Sequence, residues 1–192
     1  WIKGESFEKE INLKPDGTFS EKLPIDYEGI YAIETSKNRM PIYFSKDSKI
    51  SLTADDSNFN STLKYTGKGS IENQYIVKKT LITSQISNEE LYKLNEIDFL
   101  KKVKEIKNFI SALYNQTKFL DTNFKEKEVK NIHYFEQIKL IHYINVHGYY
   151  AGLNGFVVSE NFPKIDNKID LDNESDFLFS FEYQDIVMRK FF

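Results

Sequence analysis

The chain has 192 residues, 40% hydrophobic and 15% aromatic, with 26 basic and 29 acidic residues, a net charge of -3 and no cysteine. This is enough apolar material for one large domain or two small ones, and the absence of a basic block argues against nucleic acid as the main partner. No apolar run approaches the roughly 18 residues of a membrane span, and zero cysteines exclude disulfides, thiolate zinc sites and cysteine nucleophiles within these residues.

The first third reads as antiparallel β. Pro15-Asp16-Gly17 separates two alternating runs, Phe7–Leu13 and Phe19–Ile25, and supplies the preset φ and the positive φ of a tight hairpin. Alternation then predicts strands over Ile30–Thr35, Ile42–Phe44 and Lys49–Ala54, with a turn at Lys46-Asp47-Ser48, and a short last strand at Leu63–Tyr65. Strands at this spacing predict a small antiparallel β-sandwich or open barrel over residues 1–66.

After Gly69 the period changes. Ile71, Tyr75, Lys78-Lys79 and Ile82 recur at helical spacing, and Ile97, Leu100, Val103, Ile106, Ile110 and Leu113 form an apolar helix stripe. Val129 to Tyr150 is apolar on nearly every side, which predicts a helix buried among others. Gly152, Gly155 and Pro163 end it, and the tail "ESDFLFSFEYQDIVMRKFF" opens on capping residues and turns helical. The expected fold is α+β, a β domain over 1–66 followed by a helical bundle region over 67–192.

Gly67-Lys68-Gly69-Ser70 stands where a phosphate loop would sit, between strand and helix. A Walker A loop needs a Gly four residues upstream of Gly-Lys-Ser/Thr, yet Leu63-Lys64-Tyr65-Thr66 precedes, and Gly69 interposes before Ser70. Glu72 stands where the third Gly of G-x-G-x-x-G belongs. A Gly-permitted turn into a helix, with Ser70 as N-cap, explains the run.

The three histidines do not form a metal set. On one helix His133 and His142 lie about 180° apart, and His133 and His147 about 21 Å apart along the axis. A helix-surface pair of His133 with Glu136 is expected, with the histidines in structural roles. Asp170, Asp172 and Glu174 alternate as in a calcium loop, but Ser175 and Phe181 occupy the positions of the turn Gly and the bidentate Glu. Asp55-Asp56 lacks an acid–base partner. Tyr27, Tyr31 and Tyr43 are candidates for stacking on sugars, and core or cross-strand pairing is the plainer reading. No catalytic, cofactor or metal residue is assigned.

"DGTFSEKLPIDYEGIYAIE" and "PIYFSKDSKISLTADDSNFNSTLKYTGKGSIENQYIVKK" resemble the N-terminal region of TlpA-like, thioredoxin-fold thiol-disulfide oxidoreductases of the Gram-negative envelope. The carrying motifs are Asp16-Gly17-Thr18-Phe19, Tyr31, the Lys46–Lys49 turn, Leu63-Lys64-Tyr65-Thr66-Gly67-Lys68-Gly69 and Asn73-Gln74-Tyr75. Asp47-Ser48 replaces the glycine usual in that second turn. The likeness covers residues 7 to 80 well and the helical part, including "FEYQDIV", more loosely.

The resemblance implies a structural joint at Gly67, Gly69, Asn73 and Tyr75, with Asn73 bonding turn backbone and Tyr75 packing the first helix on the sheet. It implies an accessory, non-catalytic portion of a periplasmic or envelope redox protein, whose Cys-x-x-Cys thioredoxin domain is expected beyond position 192. That domain is the expected partner, with envelope client proteins as further partners and no nucleic acid. The start at Trp1 is expected to be processed or trimmed, and a lipid anchor ahead of it is left open. The uncapped tail at Phe191-Phe192 is expected to lie at the edge of an exposed patch. Two other classes fit the same residues: a stand-alone envelope module binding a peptide or glycan on its β face, and a structural interaction protein without a redox partner.

Overall fold

Two short hairpins organise the β part. Strands β1 (Gly29–Glu34) and β2 (Arg39–Phe44) pair antiparallel from Gly29↔Phe44 to Glu34↔Arg39, and Thr35 N–H closes their turn on Asn38 C=O at 2.8 Å. Strand β3 (Lys49–Thr53) pairs antiparallel with β4 (Lys64–Lys68), and a single helical turn, α1 (Phe59–Thr62), lies between them in sequence. These features come from a computed structural model, which describes residues 8–25 and 27–191.

Period-2 alternation decides which faces are buried. Met40 and Ile42 of β2, Tyr65 of β4, and Phe59 and Leu63 form one apolar cluster, with Tyr31, Ile33, Phe44, Ile50 and Leu52 packed against it. Each such side chain, fully buried, contributes roughly 1.5–3 kcal/mol. The opposite face of the β3–β4 ribbon carries Lys49, Ser51, Thr53, Lys64, Thr66 and Lys68, all exposed.

The expected sandwich or barrel is replaced by two two-stranded sheets that do not close. The Pro15-Asp16-Gly17 turn does form: Gly17 has φ 78°, and Gly17 N–H and Lys14 N–H donate to Lys14 C=O and Thr18 C=O at 2.8 Å. No ladder extends from it along residues 8–25, and Phe7 lies outside the described residues. The reason is burial: Leu13 is 63% and Phe19 37% exposed, and a hairpin without a second layer to cover its apolar face is marginal in water.

The helices are α2 (Ser70–Thr83), α3 (Asn88–Lys93), α4 (Glu96–Gln116), α5 (Thr122–Ala151), α6 (Glu174–Phe179) and α7 (Phe181–Phe191). Most begin on the capping chemistry that satisfies orphan N–H groups. Ser87 and Glu90 make a reciprocal capping box on α3, and Asn95, Asp121 and Asn173 cap α4, α5 and α6. The α4 stripe is Phe99, Val103, Ile106 and Ile110; Ile97, assigned to the same stripe by spacing, points to solvent at 79% exposure.

Helix α5 is the central post. Its Leu140 and Tyr143 join Leu91, Tyr92, Phe99, Val103 and Phe162 in one cluster, while Tyr134 and Ile138 meet Tyr183 and Ile186 of α7 in another. Phe124, at its start, packs with Tyr43, Tyr75, Ile76 and Phe179 where the β1–β2 sheet meets the helices. Among the described residues no helix is long and apolar enough to cross a membrane.

Candidate functional site

The passage from β4 to α2 is built on two glycines in the left-handed region. Gly67 has φ 89°, and a Cβ there would stand 2.1 Å from Lys49 C=O; only a residue without a side chain lets β4 approach β3 this closely. Gly69, φ 98°, is itself the N-cap of α2, so the cap falls one residue before the expected Ser70 and leaves Ser70 as the first helical residue. Strand β4 continues through Lys68, two residues past position 66. Lys68 does not turn into the loop: its Nζ pairs with exposed Asp47 at 3.0 Å.

Asn73, fully buried, ties α2 to the sheet. Its Oδ1 accepts Tyr43 N–H at 2.7 Å, and its Nδ2 donates to Tyr43 C=O at 2.9 Å and to Gly69 C=O at 2.8 Å. Two residues on, the Tyr75 ring stands edge-on to Phe119 and Phe124 at 5.1 and 5.9 Å. Burial, reinforced by the neighbouring Glu128, holds the Tyr75 phenol protonated far above its ordinary range.

Tyr75 leads into a buried polar network that the sequence reading missed. Glu128 Oε1 accepts from Tyr75 Oη and from Lys79 Nζ, both at 2.8 Å, and its Oε2 accepts from Asn131 Nδ2 at 3.0 Å. Ser180 Oγ donates to Asn131 Oδ1 and accepts Tyr183 N–H at 2.9 Å, which anchors the first turn of α7. Burial pushes the Lys79 ammonium down, but Glu128 and then Glu182 outweigh it and leave its pKa raised. Glu72, buried on α2, accepts Leu120 N–H and Asp121 N–H at 2.9 and 3.0 Å, and Asp121 in turn accepts from Tyr43 Oη at 3.0 Å. The one sequence signal was polarity out of place: Glu128 and Asn131 stand three apart on a helix that buries most of its circumference.

Glu128 is 2% exposed with both oxygens occupied. The arrangement therefore positions elements; it presents no base or nucleophile to a substrate.

The histidines go to three separate partners. His133 Nε2 meets Asp166 Oδ2 at 3.0 Å instead of the expected Glu136, which pairs with Lys107 across on α4. His142 lies between Tyr92 Oη at 3.1 Å and Asp185 Oδ2 at 2.7 Å, and Arg189 Nε donates to the other Asp185 oxygen at 2.9 Å. Buried His147 donates from Nδ1 to Tyr92 C=O at 2.8 Å and stacks on Tyr143.

In the acidic loop Asp170 accepts Asp172 N–H, while Glu174 opens α6. Among the described residues no three His, Asp or Glu side chains converge on a metal position. Asp55 accepts from Ser57 N–H and Oγ, and Asp56 pairs with Lys37. Of the candidate sugar-stacking rings, Tyr43 is 1% exposed and closed to a ligand, and Tyr27 and Tyr31 stack on each other at 4.8 Å. The side chains of Phe191 and Phe192 lie outside the described residues.

No protein-family model, curated protein or solved structure matches this chain. Its class is set by its own geometry: a mixed α and β fold in which two small antiparallel sheets are joined to a set of helices through buried polar side chains.

Proposed function

We propose that the chain is the accessory, non-catalytic portion of an envelope thiol-disulfide oxidoreductase of the TlpA-like, thioredoxin-fold kind, which docks and orients a redox domain carrying the Cys-x-x-Cys pair. The observation that supports this most is the joint. Of the residues that carry the resemblance, Gly67, Gly69, Asn73 and Tyr75 lie where sheet meets helix, so this part of the motif has a structural use. A module that orients another domain must itself be stiff, and α7 is held at its start through Ser180 and Asn131 and farther along through Asp185 and His142.

Disulfide exchange needs a thiolate nucleophile. This chain has no cysteine, so its contribution is geometry, with the electrons carried by the redox domain. Periplasmic or envelope placement, with client proteins as the substrates of the whole, belongs to the same proposal.

The test is reduction of insulin with dithiothreitol as electron source. The 192-residue chain alone is expected to leave the rate at the dithiothreitol background, and the longer native protein to raise it. Catalysis by the chain alone contradicts the reading.

A further inference from the structure

The β1–β2 sheet is closed along one edge and open along the other, and the hydrogen bonds say which is which. Asn73 takes both the N–H and the C=O of Tyr43, so these groups point away from β1, and Tyr43↔Ile30 is a non-hydrogen-bonded pair of the antiparallel ladder. By alternation Arg39 and Pro41 also face outward on β2, and Ile30, Ala32 and Glu34 face outward on β1. Two further observations agree. Pro41, opposite Ala32, has no N–H to give, and Thr35 N–H bonds Asn38 C=O, which places the next pair inward.

The outer edge of β2 is therefore shut, by Asn73 at one position and by a proline at the next. The outer edge of β1 is not. Among the described residues no hydrogen bond reaches the outward N–H or C=O of Ile30, Ala32 or Glu34, and Ala32 and Glu34 are exposed. Helix α6 comes close at the Gly29 end, at Leu178 C=O, and Ile30 packs against the cluster that holds Phe179. On the face of the sheet that carries Ala32 lies a cavity of about 380 Å³ lined by Ala32, Arg39, Pro41 and Phe181, the last 41% exposed.

We propose that the β1 edge takes an extended polypeptide segment of another protein as an added strand. Main-chain N–H and C=O groups repeating every two residues, roughly 6.6–6.8 Å apart, are matched by an extended polypeptide and by neither a sugar nor a flat small molecule. Main-chain bonds to Ile30, Ala32 and Glu34 supply binding with little sequence demand. Alternate side chains of the added strand fall over the cavity, where Ala32, Pro41 and Phe181 favour an apolar residue. The partner is an unfolded or extended segment with an apolar residue at alternate positions. This goes beyond the accessory role and does not depend on it.

The edge is read amide by amide through hydrogen exchange of the ¹⁵N-labelled chain, alone and with reduced, carboxymethylated α-lactalbumin as a permanently unfolded probe. In the free chain the amides of Ile30, Ala32 and Glu34 should exchange fast. With saturating probe they should slow by about tenfold or more, while Tyr31 and Ile33, bonded inward to β2, change little. Ala32→Pro removes one outward donor without touching the β1–β2 ladder and should abolish this protection; Phe181→Ala should weaken probe binding several-fold. Slow exchange at the three amides in the free chain would mean that the edge is already occupied, for instance by the chain's own 19–25 run, and overturns the proposal. So does unchanged exchange at saturating probe, or undiminished probe binding by a folded Ala32→Pro chain. Should Ala32→Pro fail to fold, the exchange data on the unaltered chain decide.

Discussion

Asn73 holds Tyr43 by both of its backbone groups, accepting its N–H at 2.7 Å and donating to its C=O at 2.9 Å. One side chain thus stands in for a missing neighbour strand and fixes α2 against β2. Asn73→Ala leaves both buried backbone groups of Tyr43 without partners, while Gly69 C=O keeps the residue-73 N–H at 3.3 Å. With about 1–3 kcal/mol for each unmet buried group and partial relief by water, a loss of about 2–4 kcal/mol is expected in urea unfolding. Asn73→Asp keeps the acceptor but loses both donations and should also be destabilised. A change below about 0.5 kcal/mol in the alanine variant would show that the joint does not hold the two parts together.

The glycines separate backbone strain from ligand chemistry. Gly67→Ala forces a Cβ against Lys49 C=O in a left-handed conformation, whereas Gly69→Ala meets only the ends of Ser48 and Ile50. Both should cost on the order of 1–3 kcal/mol, with Gly67 the more severe. Lys68→Ala removes a solvent-exposed ion pair and should cost under about 1 kcal/mol. Differential scanning calorimetry of the three variants, with and without added ATP, checks the order. A nucleotide-dependent melting temperature lost in Lys68→Ala would restore the phosphate-loop reading.

Lys79 and Glu128 make a buried ion pair, so removing one partner is worse than removing both. Lys79→Met strands the Glu128 carboxylate and should cost about 3–5 kcal/mol, and a Lys79→Met/Glu128→Leu double variant less than the sum of the singles. Chemical denaturation of the four-member cycle measures the coupling; strict additivity would mean that the two charges do not see each other.

How much of this was legible beforehand depended on range in sequence. Helix α4 was readable because Val103, Ile106 and Ile110 repeat locally, and the β4–α2 corner because Gly67 and Gly69 leave few alternatives. The Pro15-Asp16-Gly17 turn was equally clear, yet its flanking runs formed no ladder, because Leu13 and Phe19 have nothing to be buried against. Lys79 and Glu128 are 49 residues apart, and His133 bypasses Glu136, one helical turn away, for Asp166, 33 residues on. Such pairings are decided by how helices pack, which local periodicity does not encode.

The tie between α5 and α7 should respond to pH. Burial lowers the pKa of His142, Arg189 and Lys139 lower it further, and Asp185 opposes them. The neutral ring, taking the Tyr92 hydroxyl on Nδ1 and donating from Nε2 to Asp185, is the form the fold prefers. A histidine whose folded pKa lies below the unfolded value of about 6.5 contributes stability that is present above that pH and lost as pH falls through the folded pKa. Thermal melts from pH 7.5 down to 5 should show a loss that His142→Phe reduces. An identical pH profile in the variant would remove His142 from the account.

The accessory reading stands or falls on what chemistry accompanies this chain in its natural protein. The most direct measurement is the reading frame of the coding sequence beyond the Phe192 codon. The account predicts a continuing frame that encodes a thioredoxin-like domain with a Cys-x-x-Cys pair. A stop codon there, or a following domain without paired cysteines, would contradict it.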